Sequence, residues 1–139
     1  GESFEFGDYL ITEQEIIEFA SRYDPQPFHL DHEAAAQSHF GGLVASGWMT
    51  CSVMMRLLVD HYISPKASMG SPGVDEIRWK LPVRPGDRLR LRVSILAARR
   101  SQSKPDRGVV TAEQALLNQN NEVVLTSKSL GMYKVRPAS

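Results

Sequence analysis

Over residues 46–64 the apolar positions do not keep to one side. Trp48, Met49, Cys51, Val53, Met54, Met55, Leu57, Leu58, Val59, Tyr62 and Ile63 fall all round a 3.6-residue wheel, and a helix that is apolar all round is a buried helix. About seventeen helical residues within it span about 25 Å. Arg56, Asp60 and His61 interrupt the run, which argues against a membrane span. The rest of the chain must therefore supply something that wraps a central helix.

Upstream, Phe4 and Phe6 alternate with Glu5 before Gly7 and Asp8, and residues 9–11 resume the pattern, predicting a short, broken strand. A first helix follows. Thr12 and Glu15 have the spacing of a capping box, and Ile11 and Ile16 that of a hydrophobic staple. Ile16, Phe19, Ala20 and Tyr23 then form one apolar face. The helix ends at Asp24, because the residue before a proline is disfavoured in the α region. Pro27 restricts Gln26 in the same way, so DPQPF reads as a stiff, extended loop. Asp31 is placed to cap a short helix over residues 32–38, and Gly41-Gly42 opens a turn. Ser46 is the N-cap expected for the central helix, with Gly47 in its first turn.

After residue 65 the period changes to two. Ile77, Trp79 and Leu81 alternate with Glu76, Arg78 and Lys80; Leu89, Leu91, Val93 and Ile95 alternate with Arg88, Arg90, Arg92 and Ser94. These are half-buried strands, joined by Pro85-Gly86-Asp87, which has the residue order of a type II turn. A polar connection over residues 99–107, a strand over residues 109–117, an Asn-rich turn over residues 118–121 and a last strand over residues 123–135 complete the pattern, and residues 136–139 are expected to fray. Consecutive strands with short links argue for an antiparallel sheet. The expected fold is α+β: a five-stranded antiparallel sheet curled round the long buried helix, a hot-dog arrangement. One such sheet cannot cover every side of the helix and leaves free edges, so a homodimer is the smallest assembly that completes the wrapping.

Composition narrows the function classes. A length of 139 residues fits a single domain over residues 1–139. Sixteen basic and sixteen acidic side chains cancel, so no global field favours nucleic acid or an anionic membrane; a small-molecule partner fits better. The one cysteine, Cys51, excludes an internal disulfide, and with no signal peptide visible a reduced, cytoplasmic setting is the expectation.

Asp24 and His29 flank the double-proline loop. A histidine titrates near neutral pH and can act as a general base, while a carboxylate can orient it, hold water or return a proton. Five extended residues can part the two by about 17 Å, so the pair requires the loop to turn. On the residues alone, a turn-starting aspartate and a solvated histidine are the favoured account of the spacing.

Residues 24–31, DPQPFHLD, resemble the D-x-N-P-x-H-x-D hydratase motif of MaoC-like dehydratases and (R)-specific enoyl-CoA hydratases. Asp24, Pro27, His29 and Asp31 match; Gln26 stands where the family usually has asparagine. The family's His-Gly pair at the start of the central helix is here Ser46-Gly47. The resemblance extends over nearly the whole chain. It implies a cofactor-independent, metal-free hydro-lyase acting on enoyl-CoA or another acyl thioester: water adds across a trans-2-enoyl thioester to give an (R)-3-hydroxyacyl thioester, or the reverse. It further implies Asp24 and His29 as the acid-base pair, supported by Gln26 and Pro27, with the Gly47 backbone N–H facing the oxyanion. A helix N-terminus suits that last role, since its free amides and dipole favour negative charge.

Ser46 reads as an N-cap rather than a nucleophile. His29, Asp31, His32 and His39 have no specific metal-ligand spacing. A hot-dog thioesterase shares the fold and the acyl carrier, but commonly uses a carboxylate on the central helix, where none precedes Asp60. A non-catalytic acyl-binding protein is the third reading, kept open by Gln26 and Ser46. Met49, Met54 and Met55 serve either as core filling or as an acyl-tunnel wall. Arg84, Arg99, Arg100 and Lys104 are the basic candidates for carrier phosphates. Chain length, carrier and direction of flux are not encoded in the pattern.

Overall fold

The computed structural model describes residues 2–64, 66–104 and 106–135; the expected fraying of residues 136–139 lies outside them. The elements are β1 (Ser3–Leu10), α1 (Glu13–Tyr23), α2 (Pro27–Leu30), α3 (His32–Gln37), α4 (Gly47–His61), β2 (Gly73–Trp79), β3 (Arg88–Arg100), β4 (Arg107–Leu117) and β5 (Val123–Lys134). All five strands join one antiparallel sheet in the order β1-β3-β4-β5-β2. β1 and β2 are its edges.

The alternation in β3 does what it predicts. Leu89, Leu91 and Val93 are fully buried and pack with Val53, Leu57 and Leu58 of α4 in one core. The intervening arginines point outward, and Arg88, Arg90 and Arg92 pair with Asp8 and Glu5 of β1. The break in β1 is a bulge: its register on β3 shifts between Phe6 and Tyr9. Gly7 there has φ +92°, and a Cβ on it would lie 2.5 Å from Leu57 Cδ2, so only glycine lets the strand bend onto the helix. Pro85-Gly86 makes the expected turn, with Gly86 at φ 91° and Asp87 N–H donating to Arg84 O at 3.1 Å. The sheet thus cups α4 in the hot-dog arrangement.

Three local expectations are corrected. Thr12 does cap α1, accepting from Glu15 N–H at 3.2 Å, but the Glu15 carboxylate accepts from Tyr9 O–H at 2.6 Å instead of reaching back to the cap; burial and this bond push the Tyr9 phenol up to about 12. The DPQPF loop is not extended throughout, because Pro27 opens α2. Proline suits the first position of a helix, where the missing N–H costs nothing.

The third correction concerns α4. It runs fifteen residues and is buried on one side only. Met49, Val53, Met54, Leu57 and Leu58 are inside, whereas Trp48, Met55 and Val59 are 58%, 47% and 52% exposed. The sheet of one chain reaches round only part of the helix, so the outer apolar face stays uncovered. Cys51 is half-buried, and burial raises its thiol pKa. Among the described residues no helix is long and apolar enough to cross a membrane.

Candidate active site

Asp24 ends α1 as its C-cap, donating its N–H to Ala20 O at 2.9 Å. From there the chain makes a tight turn at Pro25, where Gln26 N–H donates to Asp24 O at 2.8 Å, and folds back in the turn of α2, where His29 N–H donates to Gln26 O at 3.0 Å. This turn brings the two ends of the loop together. His29 Nε2 lies 3.3 Å from Asp24 Oδ2, with both side chains largely buried. The other ring nitrogen, Nδ1, is 2.6 Å from Val44 O. A carbonyl can only accept, so Nδ1 carries a proton and Nε2 is the nitrogen left for chemistry.

The carboxylate is held from three sides. Gln26 Nε2 donates to Oδ1 at 2.6 Å, and Ser46 Oγ donates to Oδ2 at 2.7 Å. Burial pushes the Asp24 carboxyl up, but these two hydrogen bonds, with the charge and hydrogen bond of His29, outweigh it and leave Asp24 below its ordinary value. Gln26, the departure from asparagine, thus still bonds the aspartate. Ser46 was expected only as an N-cap. It is that, accepting from Trp48 N–H at 3.3 Å, but its hydroxyl proton goes to Asp24, which ties the start of α4 to the acid-base pair.

These groups open on a cavity of about 450 Å³ lined by Asp24, Gln26, His29, Gly47, the aromatic rings of Phe28, Phe40, Trp48 and Trp79, and Lys80. Gly47 N–H, the first amide of α4, has no hydrogen-bond partner among the described residues. Gly47 O accepts from Trp79 Nε1 at 2.9 Å, and a Cβ on Gly47 would lie 2.6 Å from that nitrogen. Glycine here is required by the indole rather than by flexibility. Pro27 sets the turn of α2 and does not itself line the cavity. Trp79 was read as an inward strand residue; it is 47% exposed, at the end of β2, and stands edge-on to Trp48 with centroids 5.4 Å apart.

The other histidine and aspartate candidates are dispersed. Asp31 caps α3 through Ala34 N–H, His32 pairs with Glu13 at 2.6 Å, and His39 lies on the Phe40 ring. Of the basic candidates, Arg84 donates to Phe40 O at 2.6 Å, beside the cavity. Arg99 pairs through Val109 with Met132, whereas Trp79 pairs with Leu125. Seven residues of β5 separate those levels, about 23 Å, so Arg99 and its neighbour Arg100 stand at the far end of the sheet. Lys80, read only as an outward strand residue, is the cation that lines the cavity.

The model of the MaoC like domain matches residues 1–118. The chain belongs to the MaoC-like dehydratase family. The MaoC-like dehydratase from Rhodospirillum rubrum superposes with a TM-score of 0.90 at 41% identity, covering 99% of this chain and 94% of that one. The 3-hydroxyacyl-thioester dehydratase Z of Mycobacterium tuberculosis is 32% identical over 99 residues, 69% of this chain and 66% of that protein. The (R)-hydratase from A. caviae involved in PHA biosynthesis shares the fold, with a TM-score of 0.75 at 23% identity and 98% and 96% of the two chains covered. Gln26 and Ser46, the two departures from the motif noted in the sequence, both donate to the same aspartate.

Proposed function

We propose that the chain adds water to a trans-2-enoyl thioester to give the (R)-3-hydroxyacyl thioester, or catalyses the reverse dehydration. The observation that carries this reading is the 3.3 Å approach of His29 Nε2 to Asp24 Oδ2 beside the free first amide of α4. The acyl-thioester and hydratase names of the relatives support the substrate class. Asp24, held as a carboxylate, takes a proton from water as its oxygen bonds to the β-carbon. His29, in the form that carries a proton on Nε2 as well as Nδ1, delivers the Nε2 proton to the α-carbon. The proton then passes from Asp24 back to His29, so the pair ends as it began. Charge that develops on the thioester oxygen is met by the Gly47 N–H and the positive end of α4.

The test is loss of enoyl absorbance on mixing the protein with crotonyl-CoA and a longer trans-2-enoyl-CoA, with thiol release followed in parallel. Absorbance loss without thiol is the expected result. Thiol release would identify a thioesterase instead, a reading disfavoured by Asp60, which lies near the far end of α4 and is paired with Arg56 at 3.0 Å. Silence in both channels with acyl-CoA still bound would identify a binding protein.

Ser46→Ala removes one donor from the Asp24 carboxylate. The lowered Asp24 pKa keeps the acid limb of kcat/KM below the usual carboxylate range, since activity is lost only as pH falls through the folded-state value. In Ser46→Ala that limb moves to higher pH, and Ser46→Thr, which keeps the hydroxyl, restores it. An unmoved limb in Ser46→Ala would remove the serine from this role.

The assembly that fits this site is a homodimer. The uncovered face of α4, with Trp48, Met55 and Val59, continues to Val74 and Trp79 on the free edge strand β2, all of them about half exposed. A contiguous apolar surface beside an unpaired strand marks an interaction face. Sedimentation equilibrium at micromolar concentration is expected to give twice the chain mass; a stable, folded monomer would refute the arrangement.

A further inference from the structure

The four rings of the Asp24–His29 cavity sort into two pairs. Trp48 and Trp79 stand edge-on at 5.4 Å, and Trp79 Nε1 donates to Gly47 O at 2.9 Å, so the indoles flank the start of α4. Phe28 and Phe40 stand edge-on at 5.2 Å, and the Phe28 ring lies 4.5 Å from that of His29, so the phenyl pair flanks the acid-base pair. Both tryptophans of the chain and two of its five phenylalanines are thus gathered round one cavity of about 450 Å³. Core filling does not account for them. Among the described residues the fully buried core cluster holds no aromatic side chain, whereas Phe28 and Phe40 are half-buried and line the cavity.

Phe40 is held in the wall. Its carbonyl accepts from Arg84 Nη2 at 2.6 Å, the His39 ring lies 4.0 Å from its own, and Gly41, at φ +69°, turns the chain directly after it. A ring fixed in advance need not be ordered by the guest. With the thioester oxygen on Gly47 N–H and the α- and β-carbons at His29 and Asp24, the group carried on the β-carbon falls to the phenyl pair. Another ring placed there packs edge-to-face or offset against both, which is worth more than the buried area alone. A flexible alkyl chain gains only area and loses rotamer freedom as it is ordered.

We propose that the group on the β-carbon is an aryl ring, so that the substrates are 3-arylprop-2-enoyl thioesters and their 3-hydroxy forms, selected by Phe28 and Phe40. The reaction on them rests on the hydratase reading above; the selection of the ring is read by binding alone.

Because both tryptophans line the cavity, intrinsic fluorescence of the full chain reports its occupancy. The test titrates three saturated thioesters that cannot turn over: 3-phenylpropanoyl-CoA, 3-cyclohexylpropanoyl-CoA and nonanoyl-CoA, with free CoA as the reference for quenching by the carrier. All three acyl groups have the same number of carbons, and the cyclohexyl and nonanoyl groups are the more apolar, so burial alone favours them. The phenyl thioester is expected to bind at least about fivefold more tightly than either. In Phe40→Leu, which keeps an apolar wall and removes the ring, that advantage falls toward one; Phe28→Leu provides the same comparison should this variant fail to fold. Quenching no different from that of free CoA, equal or tighter binding of the cyclohexyl or nonanoyl thioester, or an advantage undiminished by the substitution would each overturn the proposal. A second assay follows the formation of cinnamoyl-CoA from (R)-3-hydroxy-3-phenylpropanoyl-CoA beside the hydration of crotonyl-CoA. A phenyl advantage in binding with neither thioester turned over sinks the hydratase reading and leaves the ring selection standing, whereas crotonyl-CoA hydrated without a phenyl advantage does the reverse.

Discussion

Asp24→Asn and His29→Ala each lower turnover of a trans-2-enoyl thioester by at least ~10²-fold, the low end for general acid-base groups, with the circular dichroism spectrum unchanged. Asparagine preserves the shape of Asp24 and, with its oxygen at the Oδ2 position, can still accept from Ser46, so what it removes is the charge and the oxygen that accepts from Gln26. Alanine at position 29 removes the 3.3 Å partner of Oδ2 together with the bond to Val44 O. Because the two side chains pass one proton between them, their losses do not multiply: the double variant falls little below the worse single variant, as for other groups that act as a unit. Single-turnover kinetics on the three proteins measure this. Full activity in either single variant, or losses that multiply in the double, would overturn the assignment of roles.

The elements set by neighbouring residues could be read from the sequence, and those set by distant ones could not. Thr12 and Asp31, each just before its helix, and Pro85-Gly86 are local instructions, and each produced the expected cap or turn. The alternation in β3 likewise gave both its buried and its paired faces. The pair Asp24 and His29 was legible as a motif, but its closure was not, since the reading of DPQPF as extended gave weight to the residue before Pro27 and overlooked what proline permits after it. Ser46 could be recognised as a cap from its place before an apolar run; nothing local announces that its proton goes to a carboxylate twenty-two positions upstream. The wheel of α4 was read as buried all round, which is a statement about the helix in its assembly. In one chain it is true of one side only, and the exposed side is the part of the pattern that the sheet cannot satisfy.

Gly47→Ala is expected to reduce turnover by about 10²-fold or more, the effect of losing or misplacing one oxyanion donor. Nothing in the φ of Gly47 demands glycine; the indole of Trp79 does. An added Cβ would sit 2.6 Å from Nε1 and 2.7 Å from Cε2, and a ring anchored to Gly47 O cannot yield without breaking that bond. Either the indole leaves the carbonyl or the first turn of α4 moves, and the second displaces the amide that faces the cavity. The two responses are separable. Trp79→Ala alone removes the bond and the bulk, and leaves the amide on its helix, so it has a smaller effect on kcat. Combined with Gly47→Ala it relieves the clash, and the double variant recovers much of the activity that Gly47→Ala lost. This reversal of sign distinguishes steric displacement of the donor from general damage to the helix start. If Trp79→Ala deepens the loss, or if Gly47→Ala is as active as the parent protein, the amide of Gly47 is not the group that meets the developing charge.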